Sequence, residues 1–332
     1  MSPFFTVVIP VYNRAHMLRA ALESVLAQTF QDFEIIVSDD GSTDEPQRVV
    51  EALGDPRIVT VRRENRGGGA ARNTGIDMAK GRFVALLDSD DVFLPRHLET
   101  LKPLLEDTTD TVAYARMEVD RGDGRVFLKP PRAIRPGEDM ATYLFCDRGF
   151  VPTITVAMNT AIARKVRYSE TMRIAEDADF AVRLYLAGCK FVMADAPGAT
   201  WKDIYDPTRT SSGRKTAKLA QWAEEMRGRI PERAYHGLRG WAYAKQVAKT
   251  DKREALRLYL AALGHRCYSP RLSAVVFLQI FLPERIYRGL ADAAIKWLHV
   301  GFRGRKPQTV RRLGAFVTRP LGAANGSPDA GS

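Results

Sequence analysis

The chain has 332 residues, 45% hydrophobic and 27% charged, which is ordinary for a folded soluble protein and allows one large domain with an appendage, or two domains. The formal net charge of +11 is uneven: residues 1–213 carry 27 Lys and Arg against 31 Asp and Glu, residues 214–312 carry 22 against 7. Cys146, Cys189 and Cys267 exclude a disulfide framework or a zinc spacing, and no run approaches the roughly 20 apolar residues of a membrane span. The thiols therefore read as reduced, in a cytoplasmic protein whose start, Met1 to Phe5, lacks the pattern of a signal peptide. The acidic N-terminal region suits a metal, and the basic C-terminal third suits an anionic surface.

Thr6 to Val11 reads as a buried strand that ends in Tyr12-Asn13-Arg14. Leu18, Ala21, Leu22, Val25 and Leu26 follow at helical spacing. Glu34 to Ser38 is a second strand, closed by Asp39-Asp40-Gly41-Ser42-Thr43-Asp44; Ile58 to Val61 is a third and Arg82 to Leu87 a fourth. Helical segments near Glu45–Leu53 and Ala70–Lys80 separate them, and this β-α-β order predicts a doubly wound, mostly parallel sheet with its ligand site beyond the carboxyl ends of the strands. Gly67-Gly68-Gly69-Ala70-Ala71-Arg72 imitates a dinucleotide fingerprint. Arg72 stands where that fingerprint needs a small residue, and the run follows the third strand, so it reads as a tight turn near a ligand.

The fourth strand ends in Asp88-Ser89-Asp90-Asp91. Three carboxylates in a dry site repel one another, so a positive partner is required, and oxygen ligands without Cys or His point to Mg²⁺ or Mn²⁺ and a nucleotide diphosphate. Alone, the cluster also reads as a solvated turn. A second acidic pair, Glu176-Asp177, opens a segment with apolar Val182, Leu184 and Leu186, so that Asp177 lies in the first turn of a helix, where the backbone dipole favours a carboxylate.

Taken in order, Pro10-Val11-Tyr12-Asn13-Arg14, the Asp39–Asp44 run, Asn65-Arg66-Gly67 with Ala71 to Gly75, and Asp88 to Asp91 resemble the family 2 glycosyltransferases of the non-processive bacterial type, over roughly residues 4–205. The resemblance implies the GT-A fold. It places Pro10, Tyr12 and Arg14 around the nucleotide, Asp39 or Asp40 on the base (usually uracil), Arg72 near the diphosphate or base edge, Asp88 on the ribose or sugar beside Ser89, and Asp90 on a divalent metal. It makes Glu176-Asp177 the acidic pair whose Asp deprotonates the acceptor, in one inverting displacement. Trp201 to Tyr205 occupies the place where many relatives have Tyr-Arg-x-His; here Lys202 and Arg209 are the available cations, and no His completes the metal site. That departure leaves open a non-catalytic protein that binds sugar nucleotides or glycans. Arg121-Gly122-Asp123-Gly124 reads as the turn of a hairpin after the metal motif.

The remainder reads as helices: a catalytic region to residue 212, a small helical region over 213–268, a basic amphipathic segment over 269–313 and a disordered Gly/Ala/Ser/Pro tail over 314–332. The 269–313 segment predicts peripheral attachment to the inner face of the cell membrane, with a glycan or lipid-linked acceptor and no nucleic-acid partner.

Overall fold

A computed structural model of the protein describes residues 2–120, 126–172, 175–203, 216–283, 286, 287 and 289. The expected turn at Arg121–Gly124, the 290–313 part of the basic segment and the tail lie outside the described residues. Met1–Leu282 form one compact unit and Pro283–Ser332 a second.

The strands are β1 (Phe5–Val11), β2 (Phe33–Asp39), β3 (Ile58–Arg62), β4 (Phe83–Leu86), β5 (Val92–Phe93), β6 (Thr111–Tyr114), β7 (Met117–Asp120), β8 (Val126–Lys129), β9 (Ala157–Asn159), β10 (Lys190–Met193) and β11 (Ala199–Lys202). The helices are α1 (Ala15–Leu26), α2 (Pro46–Leu53), α3 (Gly68–Met78), α4 (His97–Leu105), α5 (Met140–Cys146), α6 (Thr160–Val166), α7 (Glu176–Leu186), α8 (Thr216–Met226) and α9 (Glu232–Leu238). After one π turn at Arg239–Tyr243 come α10 (Ala244–Val247), α11 (Lys252–Gly264) and α12 (Pro270–Phe281).

Among the described residues, one sheet runs β10-β6-β9-β4-β1-β2-β3, and a smaller one runs β5-β11-β7-β8. The four expected strands β1 to β4 are parallel; β1, β2 and β4 are apolar runs buried on both faces, while β3 is the partly exposed edge strand. The antiparallel insertion β9 between β4 and β6 is the departure from the expected pattern. Three residues, Ala157-Met158-Asn159, show no alternation from which a strand direction could be read.

In register, Val8 faces Leu86 on one side of β1 and Val11 faces Asp39 on the other, so Pro10–Arg14, Asp39–Asp44 and Asp88–Asp91 emerge at one edge. The switch in strand order between β1 and β4 opens the crevice there. Helix α3 crosses β1 closely. A Cβ on Gly75 would lie 2.4 Å from Val8 Cγ1, so only glycine lets the helix, and Arg72 on it, approach the sheet.

Helices α8 and α9 bury Leu219, Trp222, Met226, Tyr235 and Leu238 in the same apolar cluster as Tyr143, Phe145 and Phe180 of the α/β part. Trp222 Nε1 also donates to Asp179 Oδ1 at 2.9 Å, fixing α8 to the start of α7. Helices α10 to α12 form a satellite core around Ala255, Leu258, Val276 and Ile280.

Gly75→Ala is expected to force α3 away from β1, costing about 1–3 kcal/mol through overpacking. Urea unfolding is the check, and an unchanged midpoint would show that Val8 yields without cost.

Candidate active site

Pro10 is partly buried in β1, while Tyr12 just beyond it is 49% exposed at the lip of the crevice. Between Tyr12 and Arg14, Asn13 takes a left-handed φ of 51°. Asparagine tolerates this conformation better than most residues, and here the turn is tied across to the β2 loop. Asn13 N–H donates to Ser42 Oγ at 3.0 Å, and Asn13 Oδ1 accepts from Thr43 N–H at 2.8 Å.

The two Asp residues at the end of β2 have distinct surroundings. Asp39 Oδ1 accepts from Ser42 N–H at 2.8 Å, and its other oxygen lies 3.7 Å from the Arg62 guanidinium. Asp40 accepts from Arg66 N–H at 3.0 Å and from Gly67 N–H at 2.7 Å, one on each oxygen. Asp40 therefore fastens the loop that opens α3, where Gly67 has a φ of 98°.

Arg72, 7% exposed, connects the two acidic motifs. Its Nη2 donates to Asp88 Oδ1 at 2.5 Å and its Nη1 to Glu176 Oε2 at 2.9 Å, while its guanidinium carbon sits 5.2 Å from the Tyr168 ring centroid. Its Nε has no hydrogen-bond partner among the described residues. Burial opposes the Arg72 charge, but Asp88, Tyr168, Glu176 and Asp177 outweigh it and push the pKa far up, so the side chain is permanently cationic. Gly68 keeps this corner open, because a Cβ there would meet Arg72 Nη1 at 3.3 Å.

Asp177 lies in the first turn of α7, next to Glu176 and after Ala175, whose φ of 53° is a left-handed conformation that costs about 1 kcal/mol in a residue with a Cβ. Burial pushes both carboxyls up, and Arg72 pulls both back. For Asp177 the hydroxyl of Thr153 also opposes the rise, donating to Oδ1 at 2.6 Å. Desolvation raises the basicity of the carboxylate, and the two cationic or donor contacts keep it ionisable.

Asp88, Asp90 and Asp91 each offer a carboxylate oxygen, all within 4.8 Å of one another. An oxygen-only set of this size fits Mg²⁺ or Mn²⁺. Arg14 pairs with Asp90, Ser89 is buried, and Asp91 accepts from the backbone N–H of Lys202 at 3.2 Å, which locks the acid loop to the end of β11. The Lys202 side chain is exposed beside that loop. Tyr205 and Arg209, further along the chain, lie outside the described residues.

Among the described residues, the expected site residues from Pro10 to Lys202 thus fall at this one edge or its lip. Four further residues shape it. Asp91 belongs to the acid cluster, Thr153 holds Asp177, Tyr168 lies beneath Arg72 and stacks on Phe180 at 4.0 Å, and Asp179 pairs with Arg183 at 2.5 Å under the α7 start. Asp91 carried a signal, as the third acid of the run. Thr153 shows no chemistry of its own in the sequence, and only the family resemblance places Phe150 to Thr153 near the acceptor side; Tyr168 carried no signal.

Removing the Thr153 hydroxyl takes away a contact that favours ionised Asp177, so Thr153→Val is expected to move the acid limb of the pH–activity profile to higher pH. Activity near neutrality should fall roughly tenfold, the worth of about 1–2 kcal/mol, and Thr153→Ser should restore both. An unmoved acid limb would separate Thr153 from the titrating group.

A mostly parallel sheet carrying clustered acids at its switch point, joined through Arg72 to a helix-borne acidic pair, is an arrangement that can take a divalent cation beside a charged ligand. Residues 6–167 match the model of glycosyl transferase family 2. The amylovoran biosynthesis glycosyltransferase AmsB of Erwinia amylovora is 29% identical over 240 residues, covering 69% of this chain and 79% of that protein. For two further curated relatives the alignment takes in 44% and 57% of their length. Among solved structures, S. aureus TarS 1–349 in complex with UDP-GlcNAc matches with a TM-score of 0.58 and 19% identity, over 88% of this chain and 92% of that one. The mannosyltransferase PcManGT from Pyrobaculum calidifontis, in complex with GDP-Man and Mn²⁺, matches with a TM-score of 0.54 and 19% identity, over 90% and 88%. The chain carries a glycosyl transferase family 2 domain over residues 6–167 and has the GT-A fold.

Proposed function

We propose that the protein is an inverting transferase that moves one sugar from a nucleotide diphosphate sugar, a UDP-sugar in first place, to a hydroxyl of a glycan or lipid-linked acceptor. The observation that carries this reading is the Arg72 bridge, which holds the Asp88 motif and the Glu176-Asp177 pair on one cation and so gathers donor-side and acceptor-side acids at one crevice. The UDP-GlcNAc and GDP-Man complexes of the structural relatives support a nucleotide-sugar donor, and the Mn²⁺ in one of them supports a divalent metal.

In this reading Tyr12 and Pro10 flank the base and Asp39 accepts its N–H. Asp39 is preferred to Asp40, since Asp40 has both oxygens engaged by loop amides. Arg14 and Arg72, paired to Asp90, Asp88 and Glu176, and Lys202 at the end of β11 supply positive charge on the diphosphate side, and Asp88 with Ser89 would lie by the ribose or sugar. Asp90, with Asp88 and Asp91, would hold Mn²⁺ or Mg²⁺, whose charge would offset that of the departing diphosphate. Asp177 takes the acceptor proton on its carboxylate, which the Thr153 hydroxyl holds through Oδ1. The acceptor oxygen then bonds to the anomeric carbon as the bond to the diphosphate oxygen breaks. One displacement inverts the configuration, and Glu176 keeps Arg72 in place throughout.

No helix among the described residues is long and apolar enough to cross a membrane. The basic C-terminal third supports a peripheral site on the cytoplasmic face, where a lipid-linked acceptor is presented.

Thermal unfolding with UDP, GDP or dTDP, each with and without Mn²⁺, tests the donor site. A diphosphate at a hundred times its Kd adds about 2.7 kcal/mol, and the shift is expected to need Mn²⁺ and to vanish in Asp90→Asn. No shift with any diphosphate would overturn the donor reading.

Asp177→Asn is expected to bind the diphosphate normally and transfer nothing; retained transfer would remove Asp177 as the base. Stability gives an independent check. A carboxyl whose pKa is raised by folding contributes stability below its unfolded pKa and loses it as pH rises. At pH 7 the charged Asp177 therefore weakens the fold, and the Asn variant should be at least as stable as wild type, with that advantage gone once the pH falls below the carboxylate range.

A further inference from the structure

Helices α11 and α12 form a hairpin with one face packed and the other bare. Ala255, Leu258, Ala262, Leu272, Val276 and Ile280 are buried on the inner side. On the outer side Leu256 and Leu260, one helical turn apart, are 40% and 54% exposed, and Phe277 and Leu278 of α12 are 42% and 37% exposed. These are large apolar groups that a helix solvated on this side would not carry. They lie on neighbouring surfaces, since the Tyr259 ring is 5.7 Å from Phe277, Phe277 is 4.8 Å from Phe281, and Tyr259 OH donates to the Ser273 carbonyl at 3.0 Å.

The charge along this hairpin is mostly basic. Residues 251–283 hold Lys252, Arg253, Arg257, Arg266 and Arg271 against Asp251 and Glu254. Asp251 caps α11, and Glu254 is paired with Arg257 at 2.7 Å. In sequence, residues 284–312 carry eight Lys and Arg against Glu284 and Asp292. An apolar centre of Leu and Phe with Arg and Lys at its borders matches the layering of a lipid interface, acyl chains inside and phosphates outside. A protein partner would have to supply both an apolar patch and a surplus of acids, and nothing in the fold points to one.

We infer that the outer face of the α11–α12 hairpin docks on an anionic bilayer. Leu256, Leu260, Phe277 and Leu278 enter the acyl boundary, and Arg253, Arg257 and Arg271 meet the phosphates. The inference rests on the membrane part of the function proposed above, and it moves the contact from the basic tail alone to a folded element of the main unit. The hairpin belongs to the same compact unit as the α/β part, onto which α8 and α9 are packed, so docking through it tethers that unit to the membrane that carries a lipid-linked acceptor.

The test is co-sedimentation of the full-length chain with phosphatidylglycerol–phosphatidylcholine vesicles and with phosphatidylcholine alone. Wild type is expected to bind the anionic vesicles in a salt-sensitive way. Leu260→Glu with Phe277→Glu should weaken that binding about tenfold or more, leaving thermal unfolding and the Mn²⁺-dependent diphosphate shift as in wild type. Unchanged vesicle binding in the double variant would overturn the inference. So would a lowered unfolding temperature with faster proteolysis after Leu282, which would mean that the chain's own C-terminal residues cover the face, or a change of oligomeric state, which would mean that a second copy does. If wild type binds no vesicles while the diphosphate shift persists, the membrane reading fails and the transferase reading stands.

Discussion

A single buried guanidinium holds the site together. Arg72 reaches Asp88, sixteen residues further along the chain, and Glu176, more than a hundred residues further along, from one position on α3. Without it, Asp88, Glu176 and Asp177 would crowd negative charge into a partly dry corner. Removal of one partner from such a buried network typically costs about 3–5 kcal/mol, because the remaining charges are left uncompensated. The glycines around it serve this arrangement: Gly75 lets α3 lie against β1, and Gly68 leaves room for the guanidinium and Glu176.

The loops at the same edge are fastened to one another. Asn13 is tied to Ser42 and Thr43, Asp40 to the amides of Arg66 and Gly67, and Asp91 to the backbone at Lys202. Each tie joins the end of one strand to the loop of another, so the crevice is bounded by a connected set of turns. The α7 start is braced from outside the α/β part, by Trp222 through Asp179, and Asp179 also holds Arg183. The helical extension thus supports the segment that carries Asp177 as well as burying apolar surface.

The family 2 domain accounts for the strand ends and their acids, while this chain's own features lie in how those acids are held and in its C-terminal helices. Thr153 holds Asp177 by a hydroxyl donated to Oδ1. Lys202 stands at the end of β11, where many family members carry an Arg and a His. The bare face of α11 and α12 adds an apolar, basic surface far along the chain from the catalytic motifs.

The sequence by itself determined the parallel strands β1 to β4, the acidic runs at their ends and the helix that begins at Glu176, because each rests on a local signal: a β-branched apolar run, a turn-forming acid cluster, or a carboxylate before a helical apolar pattern. It also determined the one-sided charge of the C-terminal third. Only the tertiary structure decided that Arg72 joins two acidic motifs, that Asp40 has both oxygens held by loop amides while Asp39 has one, that Thr153 touches Asp177 and Tyr168 lies against Arg72, and that β9 enters the sheet antiparallel. Those facts depend on which side chains meet across long stretches of chain. Such meetings are fixed by packing, by close passages such as Gly75 over Val8, and by the neutralisation of buried charge, none of which leaves a periodic mark on the residues involved.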